Sequence, residues 1–320
     1  MRLLLLQVAL GSLLFASAQA AAPQFTLAQA HAALQEGEAD RAMAILDSLP
    51  TSAESHNLRC RVQMTLQQWS AAVSACQAAV RLDDSSSLYH LWLGRALGEL
   101  ADRASFFSAY SLGKRVRDEF QNAVRLDPHS IEALADLGEF DYEAPAIVGG
   151  GDSKAYEIAN QLESLAPARA HELRGRIAEK NKNYSTAERE FKQALALDPH
   201  PAFQWTVLAS FYRRRGRWSD FDIAINNVLQ SAQRDRQAAV ALYDGASNLI
   251  AARRNPQLAI RLLQDYLASP SKSEQAPAFA AFTELARLHA QLGDQTTALQ
   301  DREQALKLAH TYRPAQELKL

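Results

Sequence analysis

The sequence is short of cysteine, of charge imbalance and of long apolar runs. Two cysteines in 320 residues, with eight histidines at no shared spacing, do not provide the ligands of a structural metal site. A net charge of −2 and a pI of about 6.5 exclude the strongly basic balance of a general nucleic-acid-binding protein. Beyond residue 20, no apolar run approaches the length of a membrane-spanning helix. We therefore expect a mature chain with no metal, no nucleic acid and no integral membrane span.

Motifs of catalysis are missing as well. The glycine-rich stretch 149–154 lacks both the residue order of a phosphate-binding loop and a preceding strand, so it predicts a turn before a helix. His171 and Glu172 are not followed by the second histidine of a zinc-protease helix. The basic cluster 213–217 fits a solvated helix end, where cations are favoured. The sequence predicts no cofactor and no catalysis by this chain.

An internal repeat is the strongest feature that is present. The segment Glu119–His129 closely matches Glu190–His200, and both end in Leu-Asp-Pro-His. Between Tyr184 and Tyr212, apolar residues recur every three or four positions on both sides of Pro199, which predicts two amphipathic helices separated by a turn. Neither helix can bury its narrow apolar face alone. A unit of about 34 residues that stacks against its neighbours accounts for this pattern.

This unit resembles the tetratricopeptide repeat, whose pattern is W-x2-L-G-x2-Y, then A-x3-F, then P. The residues that carry the resemblance are Trp205, Leu208, Tyr212, Ala187, Phe191 and Pro199, with Ala209 in the place of the glycine. The resemblance extends over the chain after residue 20. It implies an all-α fold, a right-handed α-solenoid of seven to eight helix-turn-helix repeats. It also implies a scaffold that binds a protein or peptide.

The N-terminal residues have the pattern of a secretory signal peptide. Arg2 precedes an apolar run over residues 3–15, and Ala18-Gln19-Ala20 is a small-x-small cleavage site. We expect residues 1–20 to be removed, residues 21–310 to form the solenoid domain and residues 311–320 to form a short capping segment. The predicted destination is the periplasm or the medium.

Two repeats are too long for the family spacing. The first insertion lies between about Gly98 and Gly113, and the second lies within residues 142–152. Insertions in adjacent repeats emerge on one edge of an array, so the apolar residues of both should be neighbours. They either pack on each other or form a binding patch, and they are Phe106, Phe107, Tyr110, Ile147 and Val148. The segment A-P-A-I-V-G-G-G also resembles one in exported bacterial tetratricopeptide proteins of unassigned role.

Alignment of the repeats predicts which side chains face the concave groove. The residue after the small packing position of each first helix is Arg61, Arg95, Glu139, Arg176, Ser210, Asn248 and Arg287. Four arginines suit bidentate contacts with carboxylates. They predict a partner with an acidic segment or a C-terminal carboxylate, unless they pair with acidic neighbours in the chain.

Two points stay open at this level. Cys60 and Cys76 fall on the two helices of one repeat, where an oxidising compartment would allow a disulfide and small-residue packing without a bond is the alternative. For the function, an exported protein-binding scaffold is the first hypothesis. A cell-envelope enzyme or enzyme-accessory subunit and a self-assembling structural element are the alternatives.

Overall fold

The structure of the protein is a computed structural model that describes residues 25–320. Within that range it contains seventeen α-helices, two short 3-10 helices and no strand. Sixteen helices form eight consecutive hairpin pairs: α1 (Leu27–Gln35) with α2 (Ala39–Ser48), α3 (Ala53–Thr65) with α4 (Trp69–Leu82), α5 (Ser87–Ala101) with α6 (Phe106–Leu126), α7 (Ile131–Glu143) with α8 (Asp152–Leu162), α9 (Pro167–Lys180) with α10 (Tyr184–Leu197), α11 (Pro201–Arg214) with α12 (Trp218–Arg234), α13 (Val240–Ala252) with α14 (Pro256–Ala268), and α15 (Ala278–Gln291) with α16 (Gln295–Leu308). The last helix is α17 (Arg313–Gln316). The predicted all-α array of helix-turn-helix repeats is confirmed. The predicted signal peptide lies outside the described residues.

Small residues on the first helix of a pair set how closely its second helix can approach. A Cβ atom added to Gly94 would lie 2.5 Å from the ring of Phe120, and one added to Gly175 would lie 2.5 Å from the ring of Phe191. Both rings are buried. The aromatic residue of the second helix therefore occupies the space that a side chain on the first would need. This packing explains the paired small and aromatic residues in the repeat pattern.

The turns inside the pairs separate the ordinary repeats from the two long ones. In the six ordinary pairs the turn is three residues long and contains a residue with positive φ: Gly37, Gln67, Lys182, Gly216, Arg253 and Gly293. Such a left-handed residue ends a helix and reverses the chain within a few positions. The pairs α5–α6 and α7–α8 carry the insertions between their helices. The insertions therefore replace the tight reversal.

The first insertion is helical, which the repeat spacing did not predict. Helix α6 begins at Phe106 and is 21 residues long, because the inserted residues add turns to its N-terminal end. Leu112, Val116 and Phe120 follow one another at steps of four and pack into the same core. This spacing puts the three side chains on one helix face, which is why the inserted residues continue the helix.

The second insertion is a compact loop against α6. It contains a 3-10 helix, Ala146–Val148, and returns to α8 through Gly149, which has a φ of 105°. The Gly151 N–H donates to the backbone oxygen of Asp141 at 2.7 Å. Val148 packs over Gly113, where an added Cβ would lie 3.4 Å from its side chain. The two insertions are therefore neighbours in space.

The two ends of the array meet. One apolar core joins residues of the first two pairs with residues of α15–α17, among them Leu34, Val62, Phe279, Tyr312 and Ala315. Gly37 comes so close to Ala278 that an added Cβ would lie 2.4 Å from the backbone nitrogen of that residue. We call this contact, between residues 30–68 and residues 272–315, the closure seam.

Polar contacts accompany the apolar core of the closure seam. The Arg61 guanidinium donates from Nε to Glu274 at 2.9 Å, and their side chains are only 12% and 10% exposed. The backbone N–H of His310 donates to Asp40 at 2.9 Å, and the Gln68 amide donates to Thr311 at 3.0 Å. The segment at 311–320 thus contacts the N-terminal repeats as well as its own. The repeat assignment gave no indication of this contact.

Candidate binding site

Carboxylates of the chain engage all four arginines that were predicted to face the groove. Arg61 contacts Glu274 across the closure seam. Arg95 donates from Nε to Asp136 at 2.5 Å and from Nη2 to Glu132 at 3.2 Å. The other two pairs form within one helix, Arg176 with Glu172 and Arg287 with Glu284. A carboxylate ligand would have to displace one of these partners.

An indole ring lies between two of these arginines. Trp92, on α5, has the guanidinium carbon of Arg95 4.7 Å from its ring centroid and that of Arg61 at 5.1 Å. Stacking on an aromatic face holds a guanidinium in one orientation. Arg61 and Arg95 are therefore fixed by Trp92 as well as by their carboxylates. Repeat alignment did not single out Trp92, because it lies three positions before Arg95.

Two predicted groove residues contact each other. The Ser210 hydroxyl donates to the side-chain oxygen of Asn248 at 2.8 Å. The Asn248 amide donates to the backbone oxygen of Asp244 at 3.1 Å, and the residue is buried. The prediction that Asn248 faces an open groove is wrong, because α11 packs over it. Its amide instead joins α11 to α13.

Six of the predicted residues line one cavity of about 730 Å³, which we call the insertion cavity, and Phe107 lies outside its lining. Its walls are the C-terminal half of α5, the added turns of α6, the C-terminal half of α7 and the second insertion. The predicted residues that line it are Arg95, Glu139, Phe106, Tyr110, Ile147 and Val148. The two sites predicted separately, in the groove and at the insertions, are therefore continuous.

Apolar side chains form most of the wall, and several are open to solvent. In the wall, Phe106 is 80% exposed and Ile147 is 67% exposed, and Phe107, next to the wall, is 85% exposed. The two phenyl rings contact each other edge to face at 5.7 Å. Val148 differs, because it is buried against α6. Val148 therefore packs, whereas Phe106, Phe107 and Ile147 are exposed, and a binding role for these three stays a prediction.

Carboxylates surround the apolar wall. The acidic residues that line the insertion cavity are Glu99, Asp102, Asp136, Glu139 and Glu143, and the one basic residue is Arg95. Glu99 pairs with Arg103, and Asp136 pairs with Arg95. Across residues 25–320, neither Asp102 nor Glu139 nor Glu143 makes an ion pair. Three carboxylates that line the cavity therefore have no ion-pair partner among the described residues.

Loss of hydration shifts the pKa of one of the three carboxylates without an ion pair, Glu139. Desolvation raises the pKa of Glu139, and the nearby Arg176 opposes this effect without cancelling it. Sequence reasoning singled out Glu139 but missed Asp102 and Glu143. Both lie at the end of a helix that borders an insertion, so the positions of the insertions are the feature that could have indicated them.

The cysteines are bonded in the structure. Cys60 on α3 and Cys76 on α4 form a disulfide with their Cα atoms 5.2 Å apart. It joins the two helices of the pair that supplies Arg61 to the closure seam. Among residues 25–320, no group of three or more His, Cys, Asp or Glu side chains is placed to hold a metal. In that same range, none of the helices has the length and apolar character needed to cross a bilayer.

Comparison with known proteins identifies one of the repeats. Residues 168–201, which cover α9 and α10, match the sequence model of the tetratricopeptide repeat. Ala187, Phe191 and Pro199, which carried half of the resemblance, lie inside the match, and the resemblance is confirmed there. No curated protein matches the chain.

Three solved structures are similar to the chain. The crystal structure of MamA is 23% identical, covers 50% of this chain and 88% of that one, and has a TM-score of 0.39. PilF of Pseudomonas aeruginosa is 16% identical over 83% of this chain and 95% of that one, with a TM-score of 0.37. A monomeric mutant of IFIT1 is 12% identical over 88% of this chain and 69% of that one, with a TM-score of 0.39.

Proposed function

We propose that the chain is an exported scaffold without catalysis of its own, which binds a protein or peptide partner at the insertion cavity. The observation that carries the proposal is the exposed apolar patch of Phe106, Phe107 and Ile147 at the mouth of this cavity. Contiguous apolar surface of this kind usually marks a contact site. Tetratricopeptide-type repeats are typically interaction modules, which favours a protein or peptide as the partner.

Two features support export. The N-terminal sequence has the order of a secretory signal peptide. The disulfide between Cys60 and Cys76 fits an oxidising compartment, because cytosolic thiols are kept reduced. Together they favour the periplasm or the medium as the place where the partner is met. Fractionation of cells, with detection of the processed chain, tests the location.

The partner experiment compares two matched pairs of substitutions. Chains are crosslinked in their native compartment, and the captured proteins are identified. Phe106→Asp with Ile147→Asp alters the patch, and Ile223→Asp with Leu299→Asp alters two exposed apolar residues elsewhere. We expect the first pair to lose proteins that the wild type and the second pair retain. Equal capture by all three would contradict a binding role for the insertion cavity.

An acidic partner for the groove arginines remains a prediction with less support. Each arginine already has a carboxylate of the chain as its neighbour. Arg95→Glu combined with Arg176→Glu tests it, because capture of an acidic partner should then be lost. Activity screens of the pure protein test the alternative of a cell-envelope enzyme. Light scattering over a range of concentrations tests self-assembly.

A further inference from the structure

The insertion cavity has two properties that act on a ligand in different ways. Its interior is a large apolar pocket, with Phe120, Phe140 and Val116 in the wall. Its rim is acidic. An apolar interior takes up apolar side chains of many shapes, whereas a charged rim selects by sign. The identity of a preferred partner therefore depends on how the rim charge is compensated.

The compensation inside the chain is incomplete. Five carboxylates line the cavity against one guanidinium, that of Arg95. This guanidinium already forms ion pairs with Asp136 and Glu132, and it also stacks on Trp92. It has little capacity left for the other carboxylates. Asp102 at the end of α5 and the pair Glu139 and Glu143 on α7 remain as acceptors, on two different helices that line the cavity.

We propose that the insertion cavity selects peptide segments in which a large apolar side chain is flanked by lysine or arginine. The apolar side chain enters the pocket beside Phe106 and Ile147, and the flanking cations pair with Asp102, Glu139 and Glu143. The inference rests on the proposed function and specifies the chemical class of the partner. An acidic segment would meet like charge at the same rim, and so would an anionic lipid.

A cation supplied by a ligand would stabilise these carboxylates. Charges in a concave surface lose hydration and interact through less water than charges on a convex one. A carboxylate there is stabilised by a nearby cation, and desolvation already raises the pKa of Glu139. A bound lysine or arginine supplies that cation.

The test uses three labelled peptides and the disulfide-bonded chain after removal of residues 1–20. The first peptide is amphipathic, built of leucine and lysine at helical spacing. The second has glutamate at each lysine position, and the third has serine at each leucine position. Binding is measured by fluorescence anisotropy at low and high salt. We expect the leucine–lysine peptide to bind at least about tenfold more tightly than either counterpart, with a preference that declines as salt rises.

Matched variants assign the charge effect to the rim. Glu139→Gln with Glu143→Gln removes two exposed rim carboxylates, while Glu303→Gln with Glu317→Gln removes two exposed glutamates at the other end of the chain. The rim pair should weaken binding of the leucine–lysine peptide by about tenfold at low salt, since each exposed charge contact contributes modestly. The distant pair should leave binding unchanged. Circular dichroism checks that both variants keep the helical fold.

The possible outcomes separate this inference from the proposed function. Equal binding of the lysine and glutamate peptides, abolished by Ile147→Asp, would overturn the charge preference and leave a partner site at the cavity. Binding that survives the rim variant also contradicts the inference. If no peptide binds, the inference is wrong, and the crosslinking experiment then decides whether the cavity binds anything. If anionic vesicles, used as a fourth probe, bound in place of the cationic peptide, they would identify a lipid partner and overturn the proposal.

Discussion

The closure seam and the insertion cavity are built from the same kind of helices but treat apolar surface in opposite ways. At the closure seam, Phe279 is fully buried against Tyr312, and Arg61 pairs with Glu274. At the insertion cavity, two phenylalanines and an isoleucine remain exposed beside unpaired carboxylates. The chain therefore covers an apolar surface where the repeats meet and leaves one uncovered where the insertions meet. This difference is the main reason to place binding at the cavity.

The largest expected effect is on the closure seam core. Phe279→Ala should reduce the free energy of unfolding by about 3–5 kcal/mol, because the side chain is buried and its loss leaves a void. The measurement is a denaturant titration followed by circular dichroism. Phe106→Ala, at an exposed position, is the comparison. Similar losses for the two variants would show that the seam and the cavity do not differ as described.

The second-largest effect on stability is expected for the polar part of the closure seam. Glu274→Ala leaves the nearly buried Arg61 without its carboxylate and should destabilise the chain by about 2–3 kcal/mol. Because the pair links the two ends of the array, small-angle scattering should also show an increased radius of gyration. The control is Glu36→Ala, whose more exposed pair with Lys272 crosses the same seam. Its effect should be below about 1 kcal/mol. An unchanged radius for Glu274→Ala would argue against a role of the ion pair in closure.

A buried carboxylate below the second insertion should respond to pH. Burial raises the pKa of Asp141 to about 6, and within residues 25–320 its Oδ1 atom has no hydrogen-bond partner. The folded state therefore holds the proton more tightly than the unfolded state does, so stability falls as the pH rises from about 4 to about 6. Asp141→Asn should remove this pH-dependent loss of stability, because asparagine does not titrate.

The expected gain for Asp141→Asn at pH 7 is about 1–2 kcal/mol in the free energy of unfolding, and it should vanish near pH 4. Denaturant titrations at both pH values measure it. Asp265→Asn, whose side chain is 41% exposed and pairs with Arg261, is the control and should change stability by less than about 0.5 kcal/mol. A gain for Asp141→Asn of the same size at both pH values would contradict the titration.

The smallest expected effect on stability is at the insertion cavity. Phe106→Ala and Ile147→Ala should each change the free energy of unfolding by less than about 0.5 kcal/mol, since both side chains are largely exposed. The same two variants should weaken partner binding. A clear loss of stability would mean that the residues serve the fold, and the comparison between the two regions would then have to be abandoned.

Much of the fold could be predicted from the repeat pattern, because that pattern records packing inside one unit. Phe191 and Gly175 contact each other within one pair, and the sequence spacing of such residues placed α10 and α11 correctly. The position of the first insertion was predicted correctly, but its helical structure was not predicted. Its helix depends on burial of Leu112 and Val116 against other elements of the core, which the spacing inside the repeat does not record.

Contacts between distant units could not be predicted in this way. Closure depends on small rotations between successive units that add up along the array, and no single repeat contains that sum. Arg61 and Glu274 therefore gave no sign of being partners. The same limit applied to Asn248, whose burial depends on how α11 lies across α13. The position of a side chain within a repeat was predictable, but its neighbour in another repeat was not.

Closure also changes how the array can come apart. In an open solenoid the terminal units have one neighbour each, so they fray first and unfolding spreads inward. Here α1–α2 and α15–α17 share a core, so no pair is left with a single interface. The stability of such a chain resembles a one-dimensional lattice with periodic boundaries. The outermost helices should therefore be protected from amide exchange about as well as the central ones, until a single opening event separates the two ends.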